Sequence, residues 1–141
     1  MSFYFNARNS VPWVAPTCWA ANGKLAKDFI KKRIDRNESI IYIAKTNEDQ
    51  AAGFCQLYPS FCSVEAVPIY VLYDLYVMPQ HRRSGVAREL MLKAQNHAKI
   101  NNVGRMDLNT AKTNASAQAL YESLGWVRDE VFFTYNWHPN G

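Results

Sequence analysis

The sequence predicts one α/β domain with a mixed, mostly antiparallel central sheet flanked by helices. Three observations carry that reading. The 141 residues match one domain at about 100–200 residues each, and 48% apolar against 20% charged residues is an ordinary globular balance. Apolar periodicity changes from 3.6 to 2 and back along the chain. The resulting order is helix, three strands, helix, strand, helix and two strands, so the first half is largely antiparallel.

Residues 1–23 are atypical: Phe3-Tyr4-Phe5 suits a short strand, but Pro12 and Pro16 break any period after it. Leu25, Phe29, Ile30 and Ile34 then fall on one helical stripe, with Lys27, Lys31, Lys32 and Arg36 outside it. Ile40–Ala44 is β-branched and aromatic, Asn47–Gln50 is a turn, and Ala52–Tyr58 is a second strand, giving a hairpin. Ile69–Val77 is the strongest strand pattern, and Pro79 ends it. Val86, Leu90, Met91, Ala94 and Ala98 define a helix to about Ile100. Arg105–Asn109 alternates as a strand. Asn114 is placed to cap a helix carrying Ala117, Leu120, Tyr121 and Leu124, which Gly125 ends. Trp126–Arg128 and Val131–Trp137 are expected to close the sheet as two strands.

Composition narrows the chemistry. The formal charge of +4 permits an anionic ligand without requiring one. No apolar run approaches the ~20 residues that span a bilayer, so no membrane partner is expected. The N-terminal residues lack the charge and apolar core of a signal peptide. With Cys18, Cys55 and Cys62 odd in number and free of CxxC spacing, a reducing cytoplasm with free thiols is expected. His81, His97 and His138 form no ligand cluster, so no metal is expected. The basic run from Lys24 to Arg36 reads as a solvated helix face; with no nucleic-acid motif beside it, no nucleic acid is expected.

The segment Val77-Met78-Pro79-Gln80-His81-Arg82-Arg83-Ser84-Gly85-Val86-Ala87-Arg88 concentrates the charge. A strand ends, a basic loop follows, and a helix begins. Free N–H groups and the helix dipole at such an N-terminus make an anion site. Gly85 lets backbone approach a ligand, Ala87 keeps the first turn small, and Arg82, Arg83 and Arg88 add charge suited to a pyrophosphate. Neither a Walker A loop nor GxGxxG is present.

Arg82-x-x-Gly85-x-Ala87 resembles the [QR]xxGx[GA] acetyl-CoA loop of the GNAT superfamily of N-acyltransferases. Asn114-x-x-Ala117-x-x-Leu120-Tyr121-x-x-x-Gly125-Trp126 resembles the second signature of that superfamily, in the same order and at the right spacing. The likeness covers about residues 25–137 and is closest in 71–126. The departures are the missing clear strand–helix opening in residues 1–23 and Arg83 where glycine is frequent.

The resemblance implies the GNAT fold and transfer of the acetyl group of acetyl-CoA, the co-substrate, to an amine of a small molecule or protein by direct attack in a ternary complex. It implies that Leu75, Tyr76 and Val77 bond the pantetheine, which lies between two splayed parallel strands, and that Arg82, Arg83, Ser84, Gly85, Val86, Ala87 and Arg88 receive the diphosphate. By the same likeness Asn114 contacts the cofactor, and Tyr121 protonates the leaving thiolate. Asp74 is the acidic candidate for the acceptor's proton, although strand alternation sets it opposite Tyr73, where some relatives carry Glu; Glu65 is a weaker candidate. Tyr58, Phe61 and Tyr73 are candidate walls for the acceptor. A dimer through the aromatic C-terminal strand is in keeping with the superfamily. The alternative function is a non-catalytic acyl-CoA-binding or assembly module of the same fold.

Overall fold

A computed structural model describes residues 2–5 and 23–139. It comprises two compact units, Met1–Asn109 and Thr110–Gly141.

The first unit is a five-stranded sheet in sequential order, β1 (Ser2–Phe5), β2 (Ile40–Lys45), β3 (Ala51–Cys62), β4 (Val67–Val77) and β5 (Arg105–Leu108). Neighbours pair antiparallel except β4 with β5, which are parallel. The opening strand, in doubt from sequence, is short and present, pairing Ser2–Phe5 with Lys45–Tyr42. Strands β3 and β4 run longer than expected. Pro59 and Pro68 both fall in their shared ladder, opposite Tyr70 and Phe61.

Helix α1 (Gly23–Asp35) covers one face through Ile34, which joins Ile41, Ile43 and Phe54, with Ile30 and Tyr76 packed beside them. Its buried stripe is Ala26 and Ile34; Leu25 is 63% exposed and Phe29 lies near the surface, so the stripe is rotated from the expected one. Ala26, rather than Leu25, is the residue this helix turns inward alongside Ile34.

Helix α2 (Val86–Ile100) covers the other face with the expected Val86, Leu90, Met91, Ala94 and Ala98, all buried. Cys55 is fully buried there, its Sγ 3.8 Å from the Leu90 carbonyl. Burial pushes its thiol up to about 12, so it remains an inert core thiol.

His97 of α2 reaches the same face. Its Nδ1 lies 3.0 Å from the Tyr42 hydroxyl and its Nε2 3.4 Å from that of Tyr70, whose ring stacks on it at 5.5 Å. Desolvation lowers the His97 pKa below its ordinary 6.5. Between the lowered folded value and the unfolded value the unfolded chain binds more protons. Stability is therefore full above about pH 6.5 and falls as pH drops below it. A His97→Gln variant is expected to flatten the Tm profile between pH 7.5 and 5; an equally steep loss in both proteins removes the assignment.

The second unit contains helix α3 (Ala115–Ser123), capped as expected by Asn114, whose side chain accepts from the Ala117 N–H at 3.3 Å. Gly125 has φ of +85°, the conformation needed to leave the helix, and the Trp126 N–H closes on the Tyr121 carbonyl at 3.1 Å. The two expected closing strands are absent from residues 126–139 as described. Asp129 takes the N–H groups of Val131 and Phe132 at 2.8 and 3.1 Å, using donors that a ladder would need. Val131, Phe132, Phe133, Tyr135 and Trp137 are all exposed. The expected dimer contact through a C-terminal strand thus loses its strand.

Candidate functional site

Strand β4 is where the site is assembled. Its parallel ladder to β5 runs from Ile69–Arg105 to Leu72–Leu108 and stops there. On the other edge it stays paired with β3 as far as Val77–Gly53, and the Met78 N–H continues to the Ala52 carbonyl at 2.9 Å. Among the described residues, 73–77 therefore form a stretch of strand held on one side only. Backbone polar groups there need partners, and an extended ligand can supply them as an added strand does.

A bulge begins that stretch. Gln56 pairs with Asp74 but Leu57 pairs with Leu72, so Tyr73 is the extra residue on β4. The bulge corrects the expected alternation of Tyr73 and Asp74. Gln56 and Asp74 share the α1 face with Phe54 and Tyr76, and the Tyr73 ring meets the Tyr58 ring edge-on at 5.5 Å on that side. Tyr58, Tyr73 and Asp74 are thereby gathered.

Burial raises the Asp74 carboxyl pKa, which suits a proton acceptor better than a free surface carboxylate. Tyr58 is pushed up to about 12, first by burial and then by the Asp74 charge, so it stays protonated. Glu65 is not part of this group. It lies in the β3–β4 turn, at the other end of β4, paired with Arg105 at 2.6 Å. Phe61 is 81% exposed and far along β3.

Past Val77 the chain makes one 3-10 turn, Pro79–His81, and enters the basic loop. Arg82 Nε donates to the Val77 carbonyl at 3.1 Å, and its guanidinium lies 6.0 Å from the Tyr76 ring centroid. Arg82 thus ties the loop to the strand end. Ser84 Oγ donates to the His81 carbonyl at 2.6 Å. Arg83 has φ of +59° and Gly85 of +85°. The left-handed backbone at Arg83 accounts for the frequent glycine at this position in the resembling family, since an L side chain there carries a steric cost. Gly85 is the N-cap of α2 with open space where a Cβ would stand. Val86 anchors the helix start in the core while Arg83, Ser84, Gly85 and Arg88 are exposed. The first-turn N–H groups and these cations gather positive charge of the kind that attracts an anion.

In the second unit Asn114 caps α3, and Tyr121 is half-buried with its ring 6.3 Å from that of Trp126. Burial raises the Tyr121 pKa, so the phenol is a proton donor at neutral pH. The first unit thus holds Asp74, Leu75, Tyr76, Val77 and Arg82–Arg88, and the second holds Asn114 and Tyr121.

Three residues escaped the sequence reading. Gly53 allows β3 to approach β4 closely: a Cβ there stands 2.6 Å from the Tyr76 carbonyl oxygen. A glycine inside a strand pattern was the available signal. Gln56 and Ser39 are buried polar residues, and Gln56 Nε2 donates to both Ser39 Oγ and the Tyr58 hydroxyl. A lone glutamine between Cys55 and Leu57 was the only hint of them.

Residues 7–126 match the model of the acetyltransferase (GNAT) family, so the chain belongs to that family and with it to a class of enzymes, the acetyltransferases. It is 39% identical over 110 residues to the uncharacterized N-acetyltransferase YhfO of Bacillus subtilis, covering 78% of this chain and 73% of the relative. It is 35% identical over 115 residues to a thialysine N-epsilon-acetyltransferase of Caenorhabditis elegans, covering 79% and 68%. A crystal structure described as "a probable acetyltransferase" superposes with a TM-score of 0.87 at 33% identity, over 98% of this chain and 97% of that one.

Proposed function

We propose that the chain transfers the acetyl group of acetyl-CoA to a primary amine of a small molecule or protein, by direct attack in a ternary complex. The observation that carries this reading is the one-sided strand 73–77, which runs from the Tyr73 bulge and Asp74 into the Arg82–Arg88 cradle. An extended pantetheine arm fits the first and a diphosphate fits the second. Acetyl-CoA supplies the acetyl group as an activated thioester. Leu75, Tyr76 and Val77 bind its amides through their backbone, and one of those N–H groups faces the thioester oxygen. Arg83, Ser84, Gly85, Val86, Ala87 and Arg88 hold the diphosphate, with Arg82 fixing the loop, and Asn114 adds a contact.

The amine nitrogen bonds to the acetyl carbon as the carbon–sulfur bond breaks. Asp74 receives the amine's proton, directly or through a water, and Tyr121 gives one to the sulfur. Tyr121 takes this role on its motif position and its protonated phenol. The rings of Tyr58 and Tyr73 offer faces to an alkyl-ammonium before it loses its proton. The thialysine enzyme among the relatives supports an alkylamine acceptor.

Purified protein mixed with acetyl-CoA and a panel of alkylamines, diamines, aminoglycosides and N-terminal peptides is expected to release free thiol only with an acceptor present. Tight acetyl-CoA binding with no release on any amine overturns the proposal in favour of a binding module.

A further inference from the structure

We infer that the Tyr58 hydroxyl is a specificity-determining donor. It selects, as acceptors, amines that also carry an oxygen able to take a hydrogen bond: a hydroxyl, carbonyl or carboxylate. The inference deepens the amine-acetylating reading above and rests on it.

Phe54, Gln56 and Tyr58 alternate along β3, so their side chains share the α1 face. The half-buried Tyr58 reaches back to Gln56, whose Nε2 donates to its oxygen at 2.7 Å. Gln56 is 1% exposed, and the same Nε2 donates to Oγ of the buried Ser39 at 3.0 Å. With both N–H groups engaged, the amide is fixed, and it fixes the phenol oxygen in turn. The Tyr73 ring meets the Tyr58 ring edge-on at 5.5 Å and holds its plane.

A phenol oxygen that accepts from a buried amide keeps its own hydrogen for another partner. Among the described residues, Gln56 is the one hydrogen-bond partner of this hydroxyl, so the hydrogen is not spent within them. The hydroxyl also stands on the acceptor side. Gln56, to which it is bonded, pairs with Asp74 in the ladder, and Tyr73, against which its ring rests, is the bulged residue that opens the stretch 73–77. An amine bound there meets a fixed donor as well as two ring faces. A carboxylate attracts any ammonium, whereas a fixed O–H favours only a molecule with an oxygen to receive it. A donor held in advance adds little ordering cost to binding. Set against a plain alkyl chain, the same donor loses its water and gains no partner, so the alkylamine is disfavoured.

Matched acceptors test this: amino alcohols, amino amides and amino acids of graded chain length, each paired with the amine in which a methyl group replaces the oxygen function. Thiol release gives kcat/KM for the full chain and for Tyr58→Phe, which keeps the ring. The parent-to-variant ratio on one amine cancels differences in amine basicity, and a purely structural loss lowers both members of a pair alike. That ratio is expected to be about 2–10-fold larger for the oxygen-bearing member where the oxygen is neutral, and above about 10-fold where it is a carboxylate. Should the unpaired Gln56 amide unfold Tyr58→Phe, the double variant Tyr58→Phe/Gln56→Met removes both partners and reads the same ratio. Thiol release with equal ratios in every pair, the result for a hydroxyl that faces only water, overturns the inference and leaves the amine-acetylating reading standing. Absence of thiol release from every amine, with acetyl-CoA bound, sinks that reading, and the inference falls with it.

Discussion

Replacing Tyr121 by Phe is expected to lower kcat about 100-fold, the lower end of what a positioned general acid supplies. The ring, its approach to Trp126 and its half-buried place on α3 are retained, so Tm changes little. The lost group is the O–H proposed to protonate the departing sulfur. Acetyl-CoA is bound by strand and loop backbone under this reading, so its KM moves less than about threefold, the pattern of an interaction made only in the transition state. The sign of the pH dependence follows from the raised pKa: an acid works while protonated, and burial holds Tyr121 protonated beyond its ordinary value of 10.0. The parent's kcat therefore shows no loss from this group up to about pH 10. Unchanged turnover in Tyr121→Phe returns the residue to a packing role.

Gly53→Ala is expected to have the second largest effect, on stability and cofactor binding together. The added Cβ stands 2.6 Å from the Tyr76 carbonyl oxygen and 3.3 Å from both the Val77 Cα and the Val86 Cγ1. Two of those three atoms are backbone in a paired strand and cannot swing aside. Overpacking of this kind costs about 1–3 kcal/mol, or about 3–10 °C in Tm for a chain of this size. Relief comes by pushing β4 away from β3 at Tyr76 and Val77, the residues proposed to hold the pantetheine. The KM for acetyl-CoA is then expected to rise about tenfold, equivalent to about 1.4 kcal/mol of binding. A thermal scan and an acetyl-CoA saturation curve check both parts. A variant as stable as the parent, with the same KM, refutes the account of Gly53.

Much of the fold was legible because periodicity reports burial directly. The stripe Val86, Leu90, Met91, Ala94 and Ala98 is buried as read. The Asn114 cap and the Gly125 exit also follow their local rules. Errors arose where a distant or competing partner intervened. On α1 the inward residues are Ala26 and Ile34 rather than Leu25, a rotation of the stripe that the periodicity of α1 alone does not fix. At 131–137 the alternating pattern predicted a strand, but Asp129 claims two of the backbone donors. The chain register around Tyr73 was read as regular, and a bulge has no reliable sequence signature when no glycine marks it.

The same division runs through the site. The strand–loop–helix step at Val77–Val86 was readable in the sequence, since a strand end, a basic glycine loop and a helix start are consecutive residues and their geometry is local. Tyr58, Tyr73 and Asp74 were candidates by residue type, but how they come together was not readable. Tyr58, Tyr73, Asp74, Gln56 and Ser39 come from β3, β4 and the approach to β2, and they meet only when the antiparallel register and the bulge are set. A one-residue shift of that register turns each side chain to the opposite face. What a short stretch of chain does by itself is written in that stretch. Which face Asp74 occupies, and which residues share that face, depends on strands paired across the sheet.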